Sequence, residues 1–313
     1  MSTPQARPLR LGTRGSALAK AQSTEVAELV EKLTGRPVEL VEVVTTGDRS
    51  SAPVTQLGVG VFVSALRDAL LAGEIDVAVH SYKDLPTAPA DGLVIAAVPE
   101  RADPRDALIA RDGLGLAELP SRAKVGTGSP RRTAQLLERG YGLQVVPLRG
   151  NVDTRIRKVT DGELDAVVVA AAGLARLGRS SEATELLDPM LMLPAPAQGA
   201  LAVECRADNP ALVSELATLD DAASHAAVRA ERALLATLEA GCSAPVGALA
   251  EVAEGLSADE AEVYLRGAVI AVDGSDAVRL SGTGTPSDAE AIGRRLAATL
   301  LDEGADSLLG STK

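Results

Sequence analysis

The fold is decided by residues 124–170, which read KVGTGSPRRTAQLLERGYGLQVVPLRGNVDTRIRKVTDGELDAVVVA. Short apolar runs in this stretch alternate with segments whose apolar residues recur at helical spacing. The predicted elements are a strand ending at Gly126, helices over residues 131–139 and 151–160, and strands over residues 144–148 and 166–170. Strands that alternate with helices in this way predict an α/β unit with a largely parallel sheet.

The same alternation occurs earlier in the chain. It predicts strands over residues 9–12, 38–44 and 75–79 and helices over residues 16–33 and 62–72. The sequence therefore predicts two similar doubly wound α/β lobes, with ligand bound at the carboxyl ends of their strands. Residues 194–204, which open with Pro-Ala-Pro, are predicted to return the chain to the first lobe.

A small third domain of the α+β class is predicted at the C-terminal end. An Ala-rich helix over residues 224–238 leads into segments of alternating polarity at 262–266 and 278–281, and a helix over residues 287–303 follows. The predicted boundaries are residues 1–99 with 200–218 for the first lobe, 100–199 for the second lobe and 219–313 for the third domain.

The composition limits the possible partners. The 313-residue chain has a formal net charge of −12, which argues against binding of nucleic acid or of an anionic membrane surface. The chain contains one Phe, three Tyr and no Trp, so its cores must be built from Ala, Val and Leu. We expect a monomer whose partner is a small molecule.

Two further features bear on location and cofactors. The first residues, MSTPQAR, lack the apolar segment of a secretory signal. The longest apolar run, residues 166–175, is shorter than the about 20 residues that cross a bilayer, and is predicted to be a buried strand running into a loop. Two cysteines are too few for a disulfide framework, and with two His they have no metal-binding spacing. We predict a cytoplasmic protein without a metal.

Four segments place Gly, Ser or Thr close to Arg where a strand is predicted to give way to a helix. They are residues 12–16, 126–132, 149–155 and 173–176. Small residues let backbone N–H groups approach an anion, and a helix N-terminus adds partial positive charge. Arginine adds a planar, permanently charged fork that suits carboxylates.

The local charge separates these segments from an ordinary solvated surface. Residues 126–158 contain seven Lys or Arg against two acids, a local charge of 7 − 2 = +5 in a protein of −12. Any single Arg could still belong to a solvated helix face, and residues 126–129 alone would also suit a phosphate. No Gly-Lys-Ser/Thr follows them, so a Walker loop is excluded. A ligand with many carboxylates explains the set.

A second centre follows the strand at residues 75–79 and reads HSYKDLP (80–86). Pro86 disfavours helix at Leu85, which predicts an extended backbone there and a fixed turn. Lys83 and Asp84 then place a donor and an acceptor at the carboxyl end of a strand. The alternative is a surface ion pair that contributes about 0–1 kcal/mol to stability.

A third centre is Cys242, in the loop EAGCSAP (239–245) that follows the Ala-rich helix. A thiol on a loop can act as a nucleophile or as an attachment point. Taken alone, Cys242 is better explained as a small residue of no special function. Cys205 lies in a strand-like segment beside Glu204 and Arg206, and we interpret it as structural.

Six segments together resemble the porphobilinogen deaminase (hydroxymethylbilane synthase) family, from about residue 9 to residue 250. They are LGTRGSALA (11–19), HSYKDLP (80–86), GTGSPRRTAQL (126–136), LRGNVDTR (148–155), PAPAQGA (194–200) and GCSAPVG (241–247). Because several long segments occur in the right order, the resemblance is highly specific. It implies two periplasmic-binding-protein-like lobes and a small C-terminal domain.

The resemblance also implies a function. Members of the family are transferases of porphyrin and heme biosynthesis that join four porphobilinogen molecules head to tail into hydroxymethylbilane and release ammonia each time. The product grows on a covalent dipyrromethane cofactor, and Cys242 matches the residue that holds it through a thioether. Asp84 matches the catalytic aspartate, whose charge would stabilise the azafulvenium cation left when ammonia departs.

The remaining site residues are implied by position in the same segments. Lys83, Ser129, Arg131 and Arg132 match contacts to the cofactor. Arg14, Ser16, Phe62, Arg149, Arg155, Arg176 and Gln198 match contacts to the substrate or the growing product. Phe62 is the only Phe of the chain, and core packing is the alternative for it.

The chain departs from the family pattern at three positions. Val59 stands where a Lys is common, Ala65 where an acidic residue is usual, and Ala197 where the pattern has Gly before Gln-Gly. These departures affect the expected loop contacts to substrate. A rival hypothesis is a non-catalytic, two-lobed polycarboxylate-binding protein, which would explain the lobes and arginines but neither Cys242 nor the Lys83–Asp84 pair.

Overall fold

The computed structural model describes residues 7–44, 63–240, 244–253 and 261–309. This part of the chain divides into two compact units, within Met1–Arg101 plus Ala200–His225 and within Ala102–Gly199 plus Ala226–Lys313. The first unit contains one α/β lobe. The second contains another α/β lobe and a small C-terminal α+β part, so the predicted fold class is confirmed.

The strands and helices follow one another in this order. They are β1 (Leu9–Thr13), α1 (Ala17–Thr34), β2 (Val38–Glu42), α2 (Ser64–Leu71), β3 (Val77–Ser81), β4 (Leu93–Ala97), β5 (Asp106–Ala110), β6 (Lys124–Thr127), α3 (Pro130–Glu138), β7 (Gln144–Pro147), α4 (Val152–Thr160), β8 (Ala166–Ala170), α5 (Ala171–Arg176), β9 (Glu185–Leu187), β10 (Leu201–Arg206), α6 (Pro210–Leu216), α7 (Ala222–Thr237), β11 (Val246–Ala253), β12 (Glu262–Ile270), β13 (Ala277–Gly284) and α8 (Ala289–Asp302).

The first lobe has the strand order β2-β1-β3-β10-β4. Strands β1, β2 and β3 are parallel, whereas β10 runs antiparallel between β3 and β4. The sheet is therefore mixed rather than largely parallel. Strand β10 enters this sheet between β3 and β4 only after residues 102–199, and it runs opposite to both neighbours.

Strand β3 begins two residues later than predicted, at Val77. Asp76, just before the strand, is buried, and its carboxylate accepts hydrogen bonds from the backbone N–H of Arg10 at 3.0 Å and from its guanidinium at 3.0 Å. These hydrogen bonds connect β3 to β1 just before the first paired residues of the two strands. The strand continues to Ser81 because β10 pairs with it that far.

Aliphatic side chains fill both faces of the first sheet. Helix α1, capped by Ser16 at its start and by Gly35 in the left-handed region at its end, covers one face. Its buried Val26 and Val30 belong to the same core cluster as Leu11 of β1. Another cluster joins residues of α2 to the strands. A core of small branched residues matches the prediction from composition.

The second lobe has the strand order β7-β6-β8-β5-β9. Strand β6 is parallel to β7 and β8, whereas β5 is antiparallel to β8 and β9. The apolar run at residues 166–175 is a strand followed at once by helix α5, not by the predicted loop. Ala, Gly and Leu at residues 171–174 are buried, and Ala and Leu are strong helix formers. The fourth arginine segment therefore lies in a helix.

The C-terminal part is an antiparallel sheet, β11-β12-β13, with helices α7 and α8 packed on it. Leu234 of α7, Leu265 of β12 and Leu296 of α8 belong to the shared core. Strand β11 was not predicted from the sequence. Among the residues that the structure describes, no helix combines the length and apolar character that crossing a membrane requires.

Candidate functional site

The loop between β6 and α3 is shaped by close backbone contacts. The Ser129 hydroxyl caps α3 by accepting a hydrogen bond from the N–H of Arg132 at 3.4 Å, and Thr127 accepts one from the N–H of Ser129 at 3.2 Å. A Cβ on Gly128 would lie 2.6 Å from the carbonyl oxygen of Leu148, so this approach requires glycine. The loop turns at the carboxyl end of β6, where the sequence predicted a ligand.

Arg131 and Arg132, the first arginines of α3, are almost fully buried and share one carboxylate. Arg132 donates from Nη2 and Nε to Oδ1 of Asp106, at 2.7 and 3.1 Å, and from Nη1 to the carbonyl of Val168 at 2.9 Å. Arg131 places Nη2 2.8 Å from Oδ2 of Asp106 and donates from Nη1 to the carbonyl of Leu193 at 2.7 Å. Asp106 has no solvent exposure.

Gln198 completes this cluster. Its side-chain amide donates to Oδ1 of Asp106 at 2.8 Å and to the carbonyl of Pro104 at 2.7 Å, and the residue is fully buried. Ala197 precedes it with a φ of 60°, and its N–H donates to the carboxylate of Glu231 at 2.5 Å. The non-glycine residue at this family position is therefore accommodated in a left-handed backbone that Glu231 holds.

The charges of the cluster do not balance. Burial alone would raise the pKa of Asp106, but Arg131 and Arg132 hold that pKa well below its usual value. Burial lowers the pKa of Arg131 despite the attraction of Asp106. Two guanidiniums against one carboxylate leave a buried charge of 2 − 1 = +1, which favours an anionic ligand.

Three further arginines of the second lobe occupy different positions. Arg155, half-buried on α4, donates to the carbonyl of Gly150 at 2.8 Å, and burial together with the charge of Arg132 lowers its pKa. Arg149 is exposed in the loop before α4. Arg176, the last residue of α5, donates to the carbonyl of Gly199 at 3.1 Å. Arg155 thus belongs electrostatically to the Arg131–Arg132 cluster.

In the first lobe, Asp84 ends a 3-10 turn that follows β3, and it is exposed. Leu85 after it is extended, with a ψ of 133°, which confirms the effect predicted for Pro86. The N–H of Tyr82 donates to the carbonyl of Ala200 at 3.0 Å, which connects the turn to the residue just before β10. Lys83, in the same turn, is half-buried.

A buried ion cluster supports the strand before this turn. His80 Nε2 lies 3.0 Å from Oε2 of Glu204, and Arg67 donates to Oε1 of the same carboxylate at 2.8 Å. Burial alone would raise the pKa of Glu204, but the hydrogen bonds from His80 and Arg67 hold it below its usual value. Gln22 of α1 also donates to the hydroxyl of Ser81 at 2.7 Å. The turn with Asp84 therefore rests on a fixed strand.

Arg14 and Ser16 lie at the same edge of the first sheet as Lys83 and Asp84. Both pairs follow neighbouring parallel strands, β1 and β3. Ser16 caps α1 by accepting from the N–H of Ala19 at 3.2 Å, and Arg14 is half-buried. The predicted residues thus form one group on each lobe, with Ser129, Arg131, Arg132, Arg155 and Gln198 on the second.

Several predicted positions lie outside the described residues. Cys242, Phe62 and Val59 are among them. Ala65 is described, and it lies in the first turn of α2. Asp106 was not predicted as a site residue. An acidic residue at the start of an otherwise apolar and fully buried strand, Asp106–Ala110, nevertheless indicates that a positively charged partner is buried beside it.

Helix α7 ends in a left-handed turn that leads towards residue 242. Glu239 is exposed and has a φ of 50°. Its N–H donates to the carbonyl of Ala236 at 3.1 Å, and the N–H of Ala240 donates to that of Leu235 at 3.3 Å. This is the Schellman arrangement, in which the left-handed residue is usually glycine.

We expect Glu239→Gly to raise the free energy of unfolding by about 1 kcal/mol, because the left-handed region costs a residue with a Cβ about 1–2 kcal/mol. The exposed side chain gives little packing to lose. Urea denaturation measures the change. As a control, Glu28→Gly, exposed within α1, should lower the free energy of unfolding by about 1 kcal/mol. A destabilised Glu239→Gly variant would contradict the assignment of strain.

Comparison with known proteins decides the family. The model described as porphobilinogen deaminase, dipyromethane cofactor binding domain, matches residues 9–214, and the model described as porphobilinogen deaminase, C-terminal domain, matches residues 225–302. The chain belongs to the porphobilinogen deaminase family. Both models match, so the rival hypothesis of a non-catalytic binding protein is not favoured.

The similarity to known proteins covers nearly the whole chain. The porphobilinogen deaminase of Nocardia farcinica is 63% identical over 305 residues, which cover 96% of this chain and 88% of that protein. The porphobilinogen deaminase of Mycobacterium tuberculosis is 58% identical over 304 residues, which cover 96% and 98% of the two chains. That of Mycolicibacterium paratuberculosis is 57% identical over 309 residues, covering 97% and 98%.

Solved structures with distant similarity include two binding proteins. The methionine-binding protein MetQ has a TM-score of 0.44 and 14% identity, over 67% of this chain and 89% of that one. A periplasmic substrate-binding protein of an ABC transporter from Coxiella burnetii has a TM-score of 0.43 and 17% identity, over 67% and 91%.

The cluster around Asp106 fits the family's dipyrromethane cofactor, which carries acetate and propionate side chains. The buried charge of +1 would be neutralised by a ligand carboxylate. In addition, Nε of Arg131 is buried without a hydrogen-bond partner among the described residues. Buried polar groups of this kind are normally paired, so an acceptor from a ligand would complete the site.

Proposed function

We propose that this protein joins four porphobilinogen molecules head to tail into hydroxymethylbilane, with release of ammonia at each step, on a dipyrromethane held by Cys242. The observation that carries the proposal is the buried, positively charged cluster of Arg131 and Arg132 on Asp106. A site of that charge in a protein of net charge −12 is suited to a polycarboxylate. The cofactor, when bound, supplies the pyrrole end to which new rings are joined.

Each group of residues has a separate task. Ser129, Arg131, Arg132 and Lys83 would bind the acetate and propionate groups of the cofactor. Arg14, Ser16, Phe62, Arg149, Arg155, Arg176 and Gln198 are proposed contacts of the substrate and the growing product. For Gln198 the contact would be indirect, because its amide already donates to Asp106 and Pro104.

Asp84 is the proposed catalytic residue. It is exposed at the end of a turn fixed by β3 and β10, so a substrate can reach its carboxylate. Departure of ammonia from porphobilinogen leaves a cation. Its pyrrole N–H can donate a hydrogen bond to the carboxylate of Asp84. A preorganised charge aimed at a developing cation lowers the barrier.

We expect the arginines to divide into two classes. Arg131→Leu or Arg132→Leu should block cofactor assembly, because each loses a buried contact to Asp106 and a donor to the ligand. Arg155→Leu or Arg176→Leu should keep the cofactor and slow elongation, since later rings need further cationic contacts. Intact mass gives the adduct, and the rate of product formation gives elongation.

The control for this division is Arg179→Leu, which removes an arginine paired with Glu182 and Asp153 in the same lobe. It should retain both the adduct and the elongation rate. Full adduct in all four of the other variants, with differences only in rate, would show that the division is wrong.

We also propose a cytoplasmic monomer that binds neither nucleic acid nor a membrane. The net charge of −12 supports the exclusion of polyanionic partners. Light scattering on the purified holoenzyme tests the monomer, and a dimeric mass would contradict it.

The function is tested by incubating the purified protein with porphobilinogen. We expect an intact mass above that of the bare chain by a covalent dipyrromethane, together with stoichiometric ammonia and a linear tetrapyrrole. A bare mass and no ammonia would leave a binding protein as the better description.

A further inference from the structure

Asp106 is the fully buried acid around which the site of the second lobe is built. It is the first residue of β5 and pairs with Ala170, the last residue of β8. Because β5 is antiparallel to β8, Asp106 lies at the edge of the sheet where β8 ends. Its carboxylate lies within 2.8 Å of both Arg131 and Arg132 at the start of α3.

The contacts of Asp106 determine orientation as well as charge. Oδ1 accepts from Nε and Nη2 of Arg132 and from the amide of Gln198, so three donors fix this one oxygen. Nη1 of Arg132 is held by the carbonyl of Val168, and every nitrogen of this guanidinium therefore has a protein acceptor. Each Nη carries a second N–H, whose direction is set by these bonds.

Charge and orientation predict opposite effects of removing the carboxylate. Without Asp106 the site would become more positive by one unit, which by electrostatics alone would bind an anion more tightly. It would also leave two buried guanidiniums beside each other, and their repulsion would turn them away from their present directions. The sign of the change in anion binding therefore reports which role Asp106 has.

We propose that Asp106 is a positioning residue, which orients Arg131 and Arg132 so that their remaining N–H groups meet the carboxylates of the cofactor. This inference rests on the proposed function, in which the two arginines bind the cofactor. Gln198 contributes to the same positioning of the arginines, because its side-chain amide donates a hydrogen bond to the Asp106 oxygen that orients Arg132. A misplacement of such groups by about 1 Å can cost 10²-fold in rate.

The test uses Asp106→Asn, which keeps the shape of the side chain and removes its charge. Apo-protein is prepared from cells that cannot make porphobilinogen, porphobilinogen is added, and adduct formation is followed by intact mass. We expect adduct formation to slow by about 10- to 10²-fold. In a second measurement, calorimetry with citrate as a tricarboxylate probe should show about tenfold weaker binding by the apo-variant, although its net charge is more positive.

The matched control is Asp165→Asn. Asp165 precedes β8 at the opposite end of that strand, is paired with Arg111, and accepts from the N–H of Lys124 at 2.7 Å. Both variants should lose stability in urea, but Asp165→Asn should form adduct and bind citrate as the wild type does. If Asp106→Asn does not fold, Gln198→Met, which removes one donor to Oδ1, should show a smaller effect in the same direction.

The outcomes separate this inference from the proposed function. Citrate binding that is unchanged or tighter in Asp106→Asn, or absent from the wild type, would overturn the positioning role. Adduct formation at the wild-type rate in Asp106→Asn would overturn it as well. A wild type that never forms the adduct would refute the proposed function, while weaker citrate binding by Asp106→Asn would still support positioning.

Discussion

The Cys242→Ser variant is expected to have the mass of the bare chain and to convert no porphobilinogen. A hydroxyl is a far weaker nucleophile than a thiolate, so the thioether to the cofactor would not form. Without the cofactor there is no primer, and we expect activity below detection rather than a partial loss. Intact mass and ammonia release measure the two effects separately.

Cys205 provides the matched control for this variant. It is fully buried in β10, and burial raises the pKa of its thiol to about 11, so it is not available as a thiolate. We expect Cys205→Ala to retain the adduct and the activity. An adduct of normal mass on Cys242→Ser, or its loss from Cys205→Ala, would show that Cys242 is not the attachment point.

The Asp84→Asn variant is expected to fold normally and to lose on the order of 10²-fold or more in rate. The substitution keeps the shape of the side chain and removes the negative charge that stabilises the cation. Asp84→Glu should retain more activity, because it keeps the charge and displaces it by one methylene. Single-turnover ammonia release from both variants, beside the wild type, measures the difference.

An exposed acid of the same lobe serves as the comparison for Asp84. Asp91 lies in the turn before β4, and Asp91→Asn should release ammonia at the wild-type rate. If Asp84→Asn were as fast as Asp91→Asn, Asp84 would have only a structural role. The reaction would then require a different carboxylate.

The alternation of strands and helices was sufficient to predict the two lobes, because strand and helix periods differ clearly in segments such as 144–160. Strand β5 was not predicted, and the direction of β10 could not be predicted in this way. Periodicity reports which face of a strand is buried, and it does not report which neighbour the strand pairs with.

The site was predicted in part. The Gly-Ser-Arg pattern of residues 126–132 identified the loop and its arginines, because small residues and a helix start have a local signature. Asp106 and Glu204 were not identified, since Asp106 meets Arg131 and Arg132, and Glu204 meets Arg67, only through long-range folding. The sequence likewise did not predict that Gln198 is buried next to these arginines.

The position of β10 has a consequence for the synthesis of the protein. All five strands of the second sheet come from one continuous stretch, Asp106 to Leu187, and are complete once that stretch has left the ribosome. The first sheet begins earlier, at Leu9, yet it lacks the strand between β3 and β4 until residues 201–206 emerge. The lobe that is started first is therefore finished last, and the turn with Asp84 gains its hydrogen-bond partner, Ala200, only shortly before β10 emerges.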